Sequence, residues 1–121
     1  MPIQAWSDQI LLVELTEEPA LTEDLQTIGH RIENGPAKHV VLNLGGVRHM
    51  NSSHISCLLR LRAALINHDR QLRICNVPDM IWGVMLVTGL DKVFQFASDL
   101  PSALASLQLE GPGGQKRSAG A

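Results

Sequence analysis

The chain has 121 residues, enough for one domain with a real core but not for two. Hydrophobic residues make up 45% and charged residues 18%, the balance of a folded domain rather than of a disordered segment. A net charge of −2, scattered Lys and Arg and only 3% aromatics exclude a non-specific nucleic-acid binder with a stacking platform.

Ile10 to Leu15 is the first predicted strand, and Thr16 to Ala20, with Pro19, is a connection. Leu21 to about Asn34 has helical spacing. Thr22 is a candidate N-cap, Glu23 and Asp24 suit the positive end, and Leu25, Ile28 and Ile32 make one apolar face. Gly35-Pro36 stops that helix. Val40 to Leu44 is a continuous apolar run before Gly45-Gly46, which predicts a buried strand.

A helix is predicted from about Ser53 to His68. Ile55, Leu58, Leu59, Arg62, Leu65 and Ile66 fall on its inner rows, and Arg62 is the one charged member. Leu72 to Val77 alternates at period two and predicts a third strand. Pro78 opens a short, very apolar helix that Gly89 closes. Val93 to Phe96 is a fourth strand, and Leu100 to Leu109 a last helix behind Ser98 or Asp99. Residues 110 to 121 have no apolar face and are expected to be a disordered tail.

Strands alternating with helices predict a single α/β domain over residues 1–109, with about four helices packed on a mixed sheet of four to five strands. Right-handed crossovers make β-α-β units of Val40 to Val77. The first strand is free to run antiparallel to the others. No apolar run approaches the ~20 residues that span a bilayer. The opening MPIQAWSDQ lacks the pattern of a secretory signal, so the expected compartment is the cytoplasm, without membrane insertion. Cys57 and Cys75 lie in apolar surroundings and are expected to be buried thiols rather than a disulfide.

The chemistry concentrates where the strand Val40 to Leu44 runs through a tight loop into Asn51-Ser52-Ser53-His54. Ser is a favoured N-cap, because its oxygen accepts a bond from an orphan amide of the first turn. The same helix end carries about half a positive charge and welcomes an anion. Ser52 and Ser53 therefore have two readings, a cap or a phosphorylation site, and capping is the commoner.

Enzyme motifs are missing. Ser53 and His54 are helix neighbours and do not face each other, so they form no nucleophile–base pair. There is no G-x-S-x-G elbow. Gly45-Gly46 is not continued as a phosphate loop and reads as a pair of turn glycines. His30, His39, His49, His54 and His68 lack metal-ligand spacing, and surface roles are expected for most. Neither catalysis nor a cofactor is expected. Trp82 also has two readings: a core contact, or an exposed anchor for a partner or for a homodimer.

The run VVLNLGGVRHMNSSHISCLLRLRAAL resembles the strand–loop–helix of the STAS domain, the fold of bacterial anti-sigma factor antagonists, which usually has Asp-Ser-Ser-Gly or Asp-Ser-Thr-Gly at the helix start. The run LRICNVPDMIWGVMLVTGLDKVFQF is similar to the strand, helix and Thr-Gly-Leu turn that follow in that family. The segment Ser98 to Leu107, with Ala103 and Ala105, resembles its last helix, and the similarity covers roughly Ile10 to Leu109.

The resemblance implies a partner switch. An anti-sigma factor with a GHKL-type serine kinase fold binds the unmodified protein, phosphorylates the second hydroxyl of the motif and so breaks the complex. By position that hydroxyl is Ser53, flanked by Asn51, Ser52 and His54. Met50, Asn51, Ser52, Ser53, His54 and Trp82 are the candidate partner-binding residues, with the loop Gly45 to Met50 beside them.

Asn51 stands where the family usually has Asp, and His54 where it has Gly. Asn keeps an acceptor oxygen and loses the charge, and His54 puts a ring where close approach favours Gly. Glu17-Glu18-Pro19 also replaces the family's frequent Gly-Glu-Leu-Asp. The alternative function is a STAS adaptor that docks constitutively, in a signalling or transport assembly. A ligand or nucleotide sensor is a third class, with no specific motif behind it.

Overall fold

In the computed structural model, which describes residues 3–110, five strands form one sheet in the order in which they occur along the chain. β2 (Ile10–Glu14), β3 (His39–Asn43), β4 (Leu72–Cys75) and β5 (Phe96–Ala97) are parallel, and β1 (Ile3–Ala5) lies antiparallel on the outer edge of β2. The connections are α1 (Ala20–Asn34), α2 (Ser52–Asn67) and α3 (Asp79–Thr88), and α4 (Leu100–Glu110) closes the chain.

Sequential parallel strands need crossovers of one hand, which put α1, α2 and α3 on the same face of the sheet. Side-chain alternation then divides the strands between two cores. Leu11, Val13, Val40, Leu42, Leu72 and Ile74 pack under α1, α2 and α3. Ile10, Leu12, Val41 and Cys75 point the other way, onto Ala103, Leu104 and Leu107 of α4. Covered faces on both sides explain why β3 reads as an unbroken apolar run. Arg73 is the exception on the α4 side. Its buried guanidinium donates from Nε to Ser106 Oγ at 3.0 Å, which satisfies part of a charge that burial would otherwise leave exposed to a large penalty.

Several expectations change. The strand Ile10–Glu14 runs parallel to its neighbour, and the antiparallel strand is Ile3–Ala5, which had no sequence signal of its own. Val93 to Phe96 is mostly not a strand: a 3-10 turn spans Leu90–Lys92, Phe94 is buried behind it, and only Phe96–Ala97 pairs with β4. α1 starts one residue early, with Pro19 rather than Thr22 at its N-cap. Neither glycine after β3 has a positive φ. Gly46 instead answers a close approach, since a Cβ there would stand 3.0 Å from the Leu15 carbonyl oxygen. Gly89 does take the left-handed conformation, φ 77°, and donates to the Leu86 and Met85 carbonyls that end α3. Glu110, expected to open the tail, is instead the last residue of α4, and the rest of the expected tail, 111–121, lies outside the described residues.

Both thiols are free, Cys75 buried and Cys57 half-buried. Burial, with the Asp99 carboxylate nearby, pushes the Cys75 thiol up to about 11.

Candidate functional site

The parallel strands end together on the side where α1 and α2 begin, which is where open α/β sheets place their sites. α2 starts at Ser52, and its N-cap is Asn51, in extended conformation with φ −102° and ψ −179°. Asn51 Oδ1 accepts the His54 N–H at 3.0 Å, and the Asn51 N–H donates to His54 Nδ1 at 3.1 Å. This is a reciprocal capping box in which histidine takes the place usually held by Glu or Gln. Capping therefore falls to Asn51, and the cap reading of Ser52 and Ser53 is corrected.

The box fixes the ring. Nδ1 must offer a lone pair to the Asn51 amide, so the proton of the neutral ring sits on Nε2. That N–H donates to Glu18 Oε2 at 2.7 Å. His54 is buried, and Glu18 lies in the loop just before α1. Thr22, in the first turn of α1, closes the cluster: its backbone N–H donates to Glu18 Oε1 at 2.8 Å, and its hydroxyl donates to Oε2. Glu18 thus caps α1 in place of Pro19, which makes no side-chain cap bond. Two helix N-termini meet around one carboxylate, which suits the positive end of each. The Thr22 bonds first, and then His54, hold Glu18 well below its usual range, at about 2.

Ser52 and Ser53 are left on the outside. Both are exposed at the first two helical positions, and among the described residues neither hydroxyl has a hydrogen-bond partner. Asn51 takes the His54 and Ile55 amides of that turn, which leaves the Ser52 and Ser53 amides without an intrahelical acceptor. A phosphate on Ser53 would thus add an anion beside unpaired donors and a favourable helix end. Met50 is half-buried against the core, and Arg48 reaches across to Glu17 at 3.4 Å in an exposed pair of small energetic weight.

Trp82 is not at this cluster's centre. It is half-buried and packs edge-on against Phe96, with ring centroids 5.0 Å apart, which is the core-contact reading. The exposed apolar side chains of α3 are Met80, Val84, Leu86 and Val87. Sequence reading had Thr22 as a candidate cap and Glu18 as a departure from the family pattern, and it missed that both belong to the His54 cluster. The available signal was negative: Pro19 offers no cap, and a ring at the third position of α2 needs a partner from another element. Among the described residues no group of three His, Cys, Asp or Glu is placed to hold a metal ion. None of their helices is long and apolar enough to cross a membrane.

A family model described as the STAS domain matches residues 8–103. Solved structures share the fold. An anti-sigma-factor antagonist (STAS) domain protein from Planctomyces limnophilus is 20% identical, with a TM-score of 0.73 over 86% of this chain and 96% of that one. The Bacillus cell fate determinant SpoIIAA in its phosphorylated form is 16% identical, with a TM-score of 0.67 over 86% and 96%. A sulfate transporter family protein from Wolinella succinogenes is 13% identical, with a TM-score of 0.67 over 84% of each chain.

Proposed function

The chain belongs to the STAS domain family, and from that premise we propose that it is an anti-sigma factor antagonist acting in the cytoplasm. It binds an anti-sigma factor with a GHKL-type serine kinase fold through the start of α2 and regulates transcription by partner switching. Ser53 is the switch residue. The observation that carries this reading is the division of labour at the helix start. Asn51 and His54 perform the capping between them, and the Ser53 hydroxyl stays exposed and unengaged. Phosphate there adds charge of roughly −1.5 to −2 to a docking surface without displacing a structural bond.

The test is native purification with phosphatases blocked, followed by phosphate mapping and identification of co-purifying proteins. Phosphate on Ser53, with a kinase-like partner that releases the modified form, is the expected result. Complete coverage of the Ser53 peptide across growth conditions without phosphate sinks the switch.

A second reading is a phosphorylation-independent adaptor. It draws on the uncharged Asn51 cap and the buried His54, which tie the start of α2 to α1 and leave a rigid surface. The likeness to a sulfate transporter family protein gives it a setting outside sigma-factor control. A stable complex that survives Ser53→Asp distinguishes it.

A further inference from the structure

At the opposite end of α2 a groove of about 220 Å3 is lined by Arg62, Arg70, Gln71 and Gln95 over an apolar floor that includes Leu72 and Phe94. The buried face of α2 is His54, Leu58, Leu61 and Leu65, and Leu59 and Ile66, expected on the inner rows, are exposed. Arg62 is half-buried beside that face and belongs to no feature of the helix start. Among the described residues neither Arg62 nor Arg70 has a carboxylate partner, and no acidic residue lines the groove. Arg70 is held in place: its Nε donates to the Ala37 carbonyl at 3.1 Å and Nη1 to its neighbour's carbonyl at 3.1 Å. That leaves Nη2 for another acceptor. Arg73 also borders the groove, but its guanidinium is directed to Ser106 and the Leu72 carbonyl.

We propose that this groove binds a small organic anion, a carboxylate or phosphate carried on a compact apolar body. Two guanidiniums without counter-charge recognise such a head group by charge-assisted hydrogen bonds. Ile66 and Val93, the accessible apolar lining above Leu72 and Phe94, take the body, and the Gln71 and Gln95 carboxamides supply neutral hydrogen bonds at the rim. Size sets the class. A cavity of about 150 Å3 holds benzene, so this groove has room for one ring with its head group. The site lies roughly 14–20 Å along α2 from Ser53, and it does not depend on the switching reading.

The experiment is a titration of the 15N-labelled full chain with phenyl phosphate and with phenylacetate, followed by NMR at constant ionic strength. Inorganic phosphate and benzyl alcohol are the controls. Saturable shifts at the Gln71 and Gln95 amides and at the Arg62 and Arg70 Nε–H groups are expected, with the tighter of the two anions identifying the head group. Arg62→Gln should weaken binding by about tenfold, the loss of one charged hydrogen bond. Ile66→Glu, at a half-exposed groove position that tolerates a polar residue, should abolish it. The proposal is overturned by shifts that do not saturate, by inorganic phosphate binding as well as the organic anions, or by Arg62→Gln binding like the native chain.

Discussion

The imidazole of His54 is held from both sides, by the Asn51 amide at Nδ1 and by the Glu18 carboxylate at Nε2. Replacing it by Ala removes half of a capping box and leaves the Glu18 cluster short of a donor. The expected cost is about 1–2 kcal/mol. Asn51→Ala should cost about 1 kcal/mol. Because both act on one box, the double variant should lose less than the sum, and urea unfolding of all four proteins measures the coupling. Additive losses would show that the box contributes nothing as a unit.

Glu18 gives a pH signature at the same scale. Its folded value is about 2, below the unfolded carboxylate value of 4.5. At intermediate pH the unfolded chain therefore binds the extra proton, and acid favours unfolding. The stability Glu18 contributes is complete above the unfolded value and is lost as pH falls through 4.5 towards about 2. Native protein and Glu18→Gln should thus converge in urea midpoint across that window. Parallel curves would contradict the assignment. These residues also show where sequence reading stops. The unusual residues at the helix start and in the loop before α1 were visible as separate departures from a family pattern. That Glu18 and His54 are partners, 36 positions apart, needed the packing of α1 on α2.

Among the elements, α3 separates what periodicity shows from what it hides. Its residues are apolar nearly all round, so the sequence could not choose a buried face. The sheet chooses Ile81 and Met85, while Met80 and Val87 stay exposed. Met85→Ala should therefore cost about 2–5 kcal/mol, and Val87→Ala less than about 0.5 kcal/mol. Equal losses in thermal unfolding would mean that the helix is rotated. Gly89→Ala should cost about 1 kcal/mol for backbone alone, since no atom lies within 4 Å of the added Cβ and the penalty comes from φ 77°. Long elements with strong patterns, α1, β3 and α2, were legible to within a residue or two. β1 and β5 were not, because strands of three and two residues carry too little pattern and are defined by the neighbour they pair with.

The whole molecule is a sheet between two unequal cores, and its thiols report on them separately. Cys57 sits half-buried on α2, where it accepts a hydrogen bond from Arg60 at 3.2 Å. Cys75 is fully buried under α4, with its thiol raised to about 11. The thiolate is the reactive form, so burial and this shift both protect Cys75. A thiol reagent at neutral pH should label Cys57 readily and Cys75 only when α4 lifts or the chain unfolds. Leu107→Ala thins the smaller core without touching α2. It should speed labelling of Cys75 and leave Cys57 unchanged, because opening of one core is a local event with its own free energy. If Cys75 in the native chain reacts as fast as Cys57, α4 is not the lid over the second face. If Leu107→Ala speeds both thiols alike, the two cores open as one unit, and a change at the start of α2 would then reach α4 through the sheet.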